Sequence, residues 1–257
     1  MLVKRSRLKV VFMNAGVDQQ PPPSTVSALL SIIIPVFNED SSIAQVVETV
    51  FTAPTGRYQK EVIIIDDSST DGSHHILQTL NKKYPFILVD HAENCGKGAA
   101  IRTGLARARG ELVLIQDADN EYQPSDWQQM LDLIDGENMD VVYGSRFMGG
   151  GNGWHPFNWI ANRFLSLLAS VLFGEKITDV ETCYKLFRRE LIDVDYLTEN
   201  RFGIDIELTA HLLKDTVRFQ EAPIKYNART KSEGKKIGWI DGFVACWALV
   251  KYRLKYS

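Results

Sequence analysis

Four short apolar runs, each followed by polar residues and then by a helix-like stretch, constrain this fold most. They lie at Ile32–Val36, Val62–Ile65, Phe86–Val89 and Leu112–Ile115. None alternates strictly between apolar and polar residues, which is typical of strands covered on both faces. Strands that alternate with helices in this way predict a wound, mainly parallel sheet flanked by helices. We therefore expect a single α/β domain.

Helices are predicted between these strands, and a less regular second half follows them. In the first half, helices are predicted from Ser41 or Ser42 to about Phe51, up to about Leu80, and at Ala99–Ala108. In the second half, a strand is predicted at Val141–Ser145 and helices at 158–173 and 203–213. Residues 1–27 end in a proline-rich stretch and are predicted to be a flexible leader.

The last segment, WIDGFVACWALVKYRLKYS, mixes aromatic and basic residues. This composition is typical of an amphipathic helix that lies on a membrane surface. It is equally that of a C-terminal helix packed on the domain, with a basic end that suits the helix dipole. Both interpretations stay open at this point.

Composition excludes several classes of protein. The net charge is -3, with Lys and Arg spread along the chain, so no nucleic-acid partner is expected. The cysteines Cys95, Cys183 and Cys246 are odd in number and far apart, which favours a reducing cytoplasm. No run reaches the roughly 18 to 20 apolar residues of a membrane-spanning helix. The adjacent His74 and His75 are predicted to lie on the surface with their side chains pointing apart.

Asp117 and Asp119 follow the fourth apolar run and define the first candidate site. In an extended chain, residues two apart project to the same side, so the two carboxylates form one anionic site. Close carboxylates repel unless a cation lies between them, and Mg²⁺ and Mn²⁺ prefer oxygen ligands. The pair predicts a metal site, although two acids that cap a helix from a solvated turn are an equal alternative.

Spacing separates some of the motifs that contain such a pair. An EF-hand loop needs Gly at its sixth and Glu at its twelfth position, where this chain has Tyr122 and Gln128. A haloacid-dehalogenase-type phosphatase also begins with Asp-x-Asp after a strand. Glu121 stands where such a phosphatase usually has Thr or Val, which weakens that alternative without removing it. A nucleotide-sugar glycosyltransferase is the third alternative.

Polar residues at the other strand ends decide between these alternatives. Asn38 and Glu39 follow the first run, Asp66 and Asp67 the second, and Gly96-Lys97-Gly98 precedes a helix after the third. Carboxylates at such positions accept hydrogen bonds from ribose and base, as in dinucleotide folds. A helix N-terminus with a lysine suits a diphosphate. Together they predict a nucleotide site.

The motifs resemble a known family. The segments are IIIPVFNE, VIIIDDSSTDGS, NCGKGAAIRTGLARARGELVLIQDAD, GSRF, TDVETCYKLFRREL and EGKKIGW. From Ser31 to Trp239 the chain resembles a family 2 glycosyltransferase with the GT-A fold. The closest branch is the dolichol-phosphate mannosyltransferase-like one, which includes polyprenyl-phosphate glycosyltransferases. The resemblance implies a nucleotide-binding half at 28–120 and an acceptor half at 121–257.

The resemblance also implies roles for individual residues. Pro35, Phe37 and Glu39 would contact the nucleobase, and Asp67 the base or the ribose. Asp117 and Asp119 would hold Mg²⁺ or Mn²⁺ and the donor diphosphate. The remaining implied phosphate ligands are Arg146, Arg229 and Lys235.

The acceptor determines the remaining chemistry, with inversion at the anomeric carbon implied by the resemblance. A lipid phosphate has a second pKa of about 6 and is already ionised, so it needs cations such as Arg146 and Arg163. A sugar hydroxyl needs a carboxylate base, and Asp179 or Glu207 is the candidate. Each of these acids is equally interpreted as a buried structural acid paired with an arginine.

The expected function is transfer of a hexose from a UDP- or GDP-sugar to a polyprenyl phosphate, dolichyl or undecaprenyl. The expected location is the cytoplasm, and a peripheral position on the inner face of the cell membrane is compatible with it. A soluble or glycan hydroxyl acceptor is the second hypothesis. Asn120, Cys183 and the lack of C-terminal transmembrane helices depart from the lipid-phosphate pattern. A metal-dependent phosphatase and an inert nucleotide-sugar-binding protein are more remote alternatives.

Overall fold

The computed structural model describes residues 28–150, 156–214, 216–228 and 239–256. Within these residues, seven strands form one sheet. The strands are β1 Leu29–Val36, β2 Gln59–Asp66, β3 Ile87–Asp90, β4 Leu112–Ile115, β5 Val141–Ser145, β6 Lys185–Arg188 and β7 Phe219–Pro223. The helices are α1 Ile43–Thr52, α2 Ser73–Leu80, α3 Lys97–Leu105, α4 Trp127–Gly136, α5 Pro156–Phe173, α6 Ile204–Leu212 and α7 Trp239–Lys255. Short 3-10 helices lie at Pro124–Asp126, Arg189–Leu191 and Val194–Tyr196.

The strand order is β3-β2-β1-β4-β6-β5-β7. Strands β1 to β4 pair in parallel, β6 is antiparallel to both of its neighbours, and β5 and β7 are again parallel. This confirms the predicted wound, mainly parallel sheet. The strand order reverses between β1 and β4, and in such sheets the crevice beyond the carboxyl ends at the reversal is where ligands bind.

Three elements of the second half escaped sequence prediction: α4, β6 and β7. Strand β6 has four residues and begins with the fully buried Lys185, a charge that breaks the apolar pattern. Strand β7 contains the polar pair Gln220 and Glu221 and ends at Pro223. Because β6 pairs antiparallel inside the sheet, its place follows from tertiary pairing and not from a local sequence signal.

The C-terminal helix α7 packs on the domain against α5 and α6. Leu249 and Tyr252 are fully buried at this contact, whereas Trp247 and Leu254 are 68% and 74% exposed. The helix therefore has one packed face and one exposed face with apolar side chains. Among the described helices, none combines the length and the apolar character needed to cross a membrane.

The contact of α3 with the sheet generates a stability prediction. A Cβ at Gly104 would lie 2.4 Å from Ile33 Cγ2, whereas a Cβ at Gly136 in α4 has no atom within 4 Å. We expect Gly104→Ala to lower the free energy of unfolding by about 1–3 kcal/mol through overpacking. Gly136→Ala should raise it by about 0.5 kcal/mol, since alanine restricts the unfolded chain. Urea unfolding of both variants tests this, and equal effects would contradict the close helix–sheet contact.

Candidate active site

A cavity of about 320 Å³ lies beyond the carboxyl ends of β1 and β4 and beside the start of α3. Its lining brings together seven of the predicted site residues: Pro35, Phe37, Glu39, Asp67, Lys97, Asp117 and Asp119. It also includes Arg201 and Phe202, which lie in the second half of the chain and which the sequence analysis missed. The cavity therefore draws on both halves of the domain.

The backbone is in the left-handed region at three turns around the cavity. Asn38, Ser68 and Asn120 have φ values of 57°, 61° and 58°, and follow β1, β2 and β4. Non-glycine residues with positive φ are uncommon and cluster where function requires a fixed turn. The asparagine at 120, noted above as a departure from the family pattern, suits this conformation. Its side chain donates to Gln45 Oε1 at 3.2 Å.

Lys97, the first residue of α3, forms an ion pair with Asp117, with Nζ 2.8 Å from Oδ1. Burial opposes the charged form of both groups, but the attraction between them outweighs it. The pKa of Asp117 is consequently lowered, and the pKa of Lys97 is raised well above its usual value with the help of Asp205. Both groups are therefore charged at neutral pH.

The acid pair meets the chemical requirements of Mg²⁺ or Mn²⁺. Asp117 and Asp119 line the same cavity, as their spacing predicts, and both offer oxygen ligands. Asp119 Oδ1 accepts the Glu121 backbone N–H at 3.1 Å, and Ser42 donates to the Ala118 carbonyl between the two acids at 2.8 Å. The lining contains four carboxylates but two basic side chains, an excess of negative charge that favours a cation.

Asp67 organises the loop before α3. Its carboxylate accepts the backbone N–H groups of Cys95 and Gly96 at 2.9 and 2.7 Å, and lies 2.6 Å from His91 Nδ1. Gly96 adopts φ +95°, and a Cβ there would lie 2.3 Å from the Asn200 carbonyl oxygen. Asp67 thus fixes the helix start that presents Lys97, while its implied contact with base or ribose stays a prediction.

Asp205 is a buried acid next to Lys97 that the sequence analysis did not single out. Its carboxylate lies between two lysines, 3.7 Å from Lys97 Nζ and 3.6 Å from Lys185 Nζ. Oδ1 is buried and has no hydrogen-bond partner among the described residues. Asp205 lies two residues before Glu207 on α6, and residues two apart on a helix project to different sides. The sequence analysis named Glu207, whereas Asp205 is the acid of this helix that lies close to Lys97.

The structure corrects the two predicted bases. Asp179 is fully buried and accepts a hydrogen bond from the Arg146 backbone N–H at 3.0 Å. Its two carboxylate oxygens also accept from Arg146 Nε and Nη2, each at 2.7 Å. Glu207 is fully buried too, and accepts from Thr198 Oγ1 at 2.8 Å and Lys255 Nζ at 3.0 Å. Neither acid lines the cavity. Both are structural acids, although the cation beside Glu207 is a lysine of α7 and not the expected arginine.

Of the four cations predicted to bind phosphate, one is buried, one is exposed and two lie outside the described residues. Arg146 is 7% exposed in its pair with Asp179, and its guanidinium carbon lies 5.2 Å from the Tyr226 ring centre. Arg163 is exposed on α5, 5.3 Å from the Phe147 ring centre. Arg229 and Lys235 lie outside the described residues. The phosphate contacts of all four remain predictions.

Comparison with known proteins identifies the class. The glycosyl transferase family 2 model matches residues 31–194, and the chain belongs to this family. It is 29% identical over 245 residues to a dolichyl-phosphate beta-glucosyltransferase of Trichomonas vaginalis, covering 88% of this chain and 75% of that protein. It is 28% identical over 222 residues to an undecaprenyl-phosphate mannosyltransferase of Micrococcus luteus, covering 82% and 88%. The predicted family resemblance is confirmed.

Solved structures give the same fold. The Mycobacterium tuberculosis glucosyl-3-phosphoglycerate synthase superposes with a TM-score of 0.66 at 16% identity, covering 89% of this chain and 80% of that chain. Its complex with Mn²⁺, UDP and glucosyl-3-phosphoglycerate superposes with a TM-score of 0.64 at 17% identity and the same coverage. This similarity confirms the predicted GT-A fold.

The Lys97–Asp117 pair generates a pH-dependent prediction. In the wild type the lowered pKa of Asp117 stabilises the fold above the ordinary aspartate pKa of about 3.9, and this stability is lost as pH falls further. Lys97→Met leaves a carboxylate whose burial raises its pKa, so protonation then stabilises the folded state. We expect a cost of about 3 kcal/mol at about pH 7 that shrinks towards about pH 5.

Urea unfolding at the two pH values measures this difference, with Lys97→Arg as the charge-conserving control. A cost of Lys97→Met that stays constant or grows on acidification would contradict the ion pair.

Proposed function

We propose that this chain transfers a hexose from a UDP- or GDP-sugar to a polyprenyl phosphate, with inversion at the anomeric carbon. The observation that carries the proposal is the cavity at the reversal of strand order, whose lining holds Asp117, paired with Lys97, together with Asp119 and the end of β1. The names of the two relatives, one acting on dolichyl phosphate and the other on undecaprenyl phosphate, support the acceptor.

The proposed donor would lie along the cavity, with its base at the end of β1 and its diphosphate at Lys97. Phe37 is 45% exposed at the cavity and offers a ring face to a nucleobase. Lys97 and Arg201 supply positive charge to the diphosphate. The Asp205 carboxylate lies 3.7 Å from Lys97 Nζ, outside the cavity lining, and would help to hold this lysine for the donor.

Departure of the nucleoside diphosphate requires neutralisation of its charge. A Mg²⁺ or Mn²⁺ held by Asp117 and Asp119 would supply Lewis acidity to the departing diphosphate. Lys97 keeps its charge in the cavity because Asp117 and Asp205 raise its pKa. The side chain therefore remains a cation while negative charge develops on the leaving group.

An apolar stripe on α5 supports a lipid acceptor. Ile160, Phe164, Leu167 and Val171 are 62%, 57%, 63% and 75% exposed, and their spacing places them on one face of the helix. The stripe spans about 16 Å at the helical rise. Exposed apolar stripes of this kind mark lipid or protein contacts. We infer that the stripe lies on the membrane surface from which the polyprenyl phosphate is taken.

A glycan hydroxyl is the second candidate acceptor, and Asp205 is the observation that favours it. A hydroxyl must lose its proton on attack, and Asp205 is a carboxylate beside the cavity that could take it. A lipid phosphate needs no base. Asp205→Asn should therefore abolish transfer if the acceptor is a hydroxyl. If the acceptor is a lipid phosphate, transfer should persist and only donor binding should be weaker.

Donor binding is tested by thermal unfolding with UDP- and GDP-sugars, with and without Mn²⁺. Ligand at 100 times its dissociation constant should add about 2.7 kcal/mol, a shift of several degrees for a domain of this size. We expect one nucleotide to give a metal-dependent shift that Asp119→Asn removes and Asp195→Asn, an exposed matched control, retains. An equal shift in wild type and Asp119→Asn would contradict the metal assignment.

The lipid acceptor is tested by adding charge to the stripe. In Leu167→Glu/Val171→Glu, we expect transfer to undecaprenyl phosphate in anionic vesicles to fall at least tenfold while donor binding is unchanged, since glutamate is repelled from an anionic apolar interface. His75→Glu/Thr79→Glu adds the same charge to the exposed face of α2 and should leave transfer unaffected. Equal transfer by both double variants would contradict membrane contact through α5.

A further inference from the structure

A cluster of three side chains that takes no part in the proposed transfer lies at the edge of the sheet. Asp66 ends β2 and Asp90 ends β3, and the two residues are register partners in the parallel ladder. His74 comes from the first turn of α2. Its Nδ1 lies 3.0 Å from Asp66 Oδ2 and 3.3 Å from Asp90 Oδ1. His74 was predicted to lie on the surface; its side chain is 38% exposed and lies between two carboxylates.

We propose that Asp66, His74 and Asp90 form a binding site for Zn²⁺, separate from the oxygen-only pair at Asp117 and Asp119. Zinc binds imidazole nitrogen and carboxylate oxygen at about 2.0–2.2 Å, which places neighbouring ligand atoms of a tetrahedral site about 3.3 Å apart. The 3.3 Å separation matches this spacing, and the 3.0 Å contact between His74 Nδ1 and Asp66 is a hydrogen bond that a bound ion would replace. All three ligand atoms lie within 4.8 Å of one another, so one ion reaches them with little movement.

The surroundings of the cluster orient its ligands. Gln78 lies one helical turn after His74, and its side-chain amide nitrogen is 2.8 Å from His74 Nε2. In this orientation His74 Nδ1 carries the proton of the hydrogen bond to Asp66. Rotation of the Gln78 amide by 180° brings its oxygen to the Nε2 proton and leaves the Nδ1 lone pair for an ion, with Gln78 as the outer partner of a zinc-bound histidine. Asp66 Oδ1 accepts the Ser69 backbone N–H at 3.1 Å, which directs Oδ2 towards His74.

Two comparisons within the molecule identify the ion and the site. Imidazole ligands favour Zn²⁺ over Mg²⁺ and Mn²⁺, whereas a carboxylate pair favours the latter two. A second possible ligand group, Asp67, His91 and Cys95, has its Asp67 oxygen and His91 nitrogen only 2.6 Å apart. That hydrogen bond is shorter than the 3.0 Å one between His74 and Asp66, so an ion needs more movement to enter the Asp67 group.

Bound zinc would stabilise the wall of the nucleotide cavity. Asp66 immediately precedes Asp67, and the turn that follows is held to β1 by the Asn38 backbone N–H on Ser69 Oγ at 3.0 Å. An ion that joins the ends of β2 and β3 to the start of α2 therefore fixes this turn at both ends. The proposal does not depend on the identity of the transferred sugar or its acceptor.

Zinc titration followed by calorimetry tests the site, in an Asp119→Asn background that removes the other metal site. We expect His74→Ala to weaken Zn²⁺ binding at least tenfold, and Asp90→Asn, at a more exposed ligand, to weaken it without unfolding the chain. His75→Ala, on the next residue of the same helix, is the matched control and should bind as the background does. Zinc should also raise the unfolding temperature of the background protein.

Equal zinc affinity in His74→Ala and His75→Ala would overturn the proposal. Loss of zinc binding in Cys95→Ser together with retention in Asp90→Asn would also overturn it, because the ion would then lie at the neighbouring group. Co²⁺ absorption provides a second measurement: the visible bands of the background protein should be lost in His74→Ala and retained in Cys95→Ser.

Discussion

The parallel pairing of β1 with β4 is the constraint on which the rest of the structure depends. Their register aligns Ile33 with Ile115, so the residues that follow each strand emerge side by side at one edge of the sheet. Pro35 and Phe37 on one strand end thereby share a cavity with Asp117 and Asp119 on the other. Without this pairing, the residues at the end of β1 and the acid pair would not lie in one site.

Electrostatics then determine what this edge can bind. The cavity concentrates carboxylates, and their mutual repulsion is relieved locally by Lys97, which lies between Asp117 and Asp205. Lys185 is fully buried, and burial lowers its pKa even though Asp205 lies beside it. Its Nζ donates to the Val180 carbonyl at 3.1 Å and to the Thr182 carbonyl. These hydrogen bonds hold the segment that follows Asp179 against the buried lysine. The charged residues thus form a connected set from Asp117 to α6.

The predictable part of the fold was the part with a local signal. Strands β1, β2 and β4 are continuous apolar runs, and their polar ends mark the cavity directly. Strand β6 has no such signal, because its first residue is a lysine that is buried only through contacts far away in sequence. The same limit applies to Asp179 and Glu207, since whether an acid faces a cavity or an internal cation is decided by tertiary packing.

Asp205 and Glu207 show what the sequence alone leaves open. The two acids are two residues apart on α6, and helical geometry separates their directions once the helix bounds are known. Gly96 shows the reverse case: the glycine was noted as part of a helix start, and the structure adds that the loop at Asn200 leaves no room for a side chain there. Local motifs located the site, and packing assigned the roles.

The most direct measurement is product analysis with purified protein, Mn²⁺, a nucleotide-sugar donor that binds, and undecaprenyl phosphate. We expect one nucleoside diphosphate to be released for each lipid-linked sugar formed. The sugar in the product should have the anomeric configuration opposite to that in the donor. Release of nucleoside diphosphate without a lipid-linked product, or a product with the donor's configuration, would contradict inverting transfer to a polyprenyl phosphate.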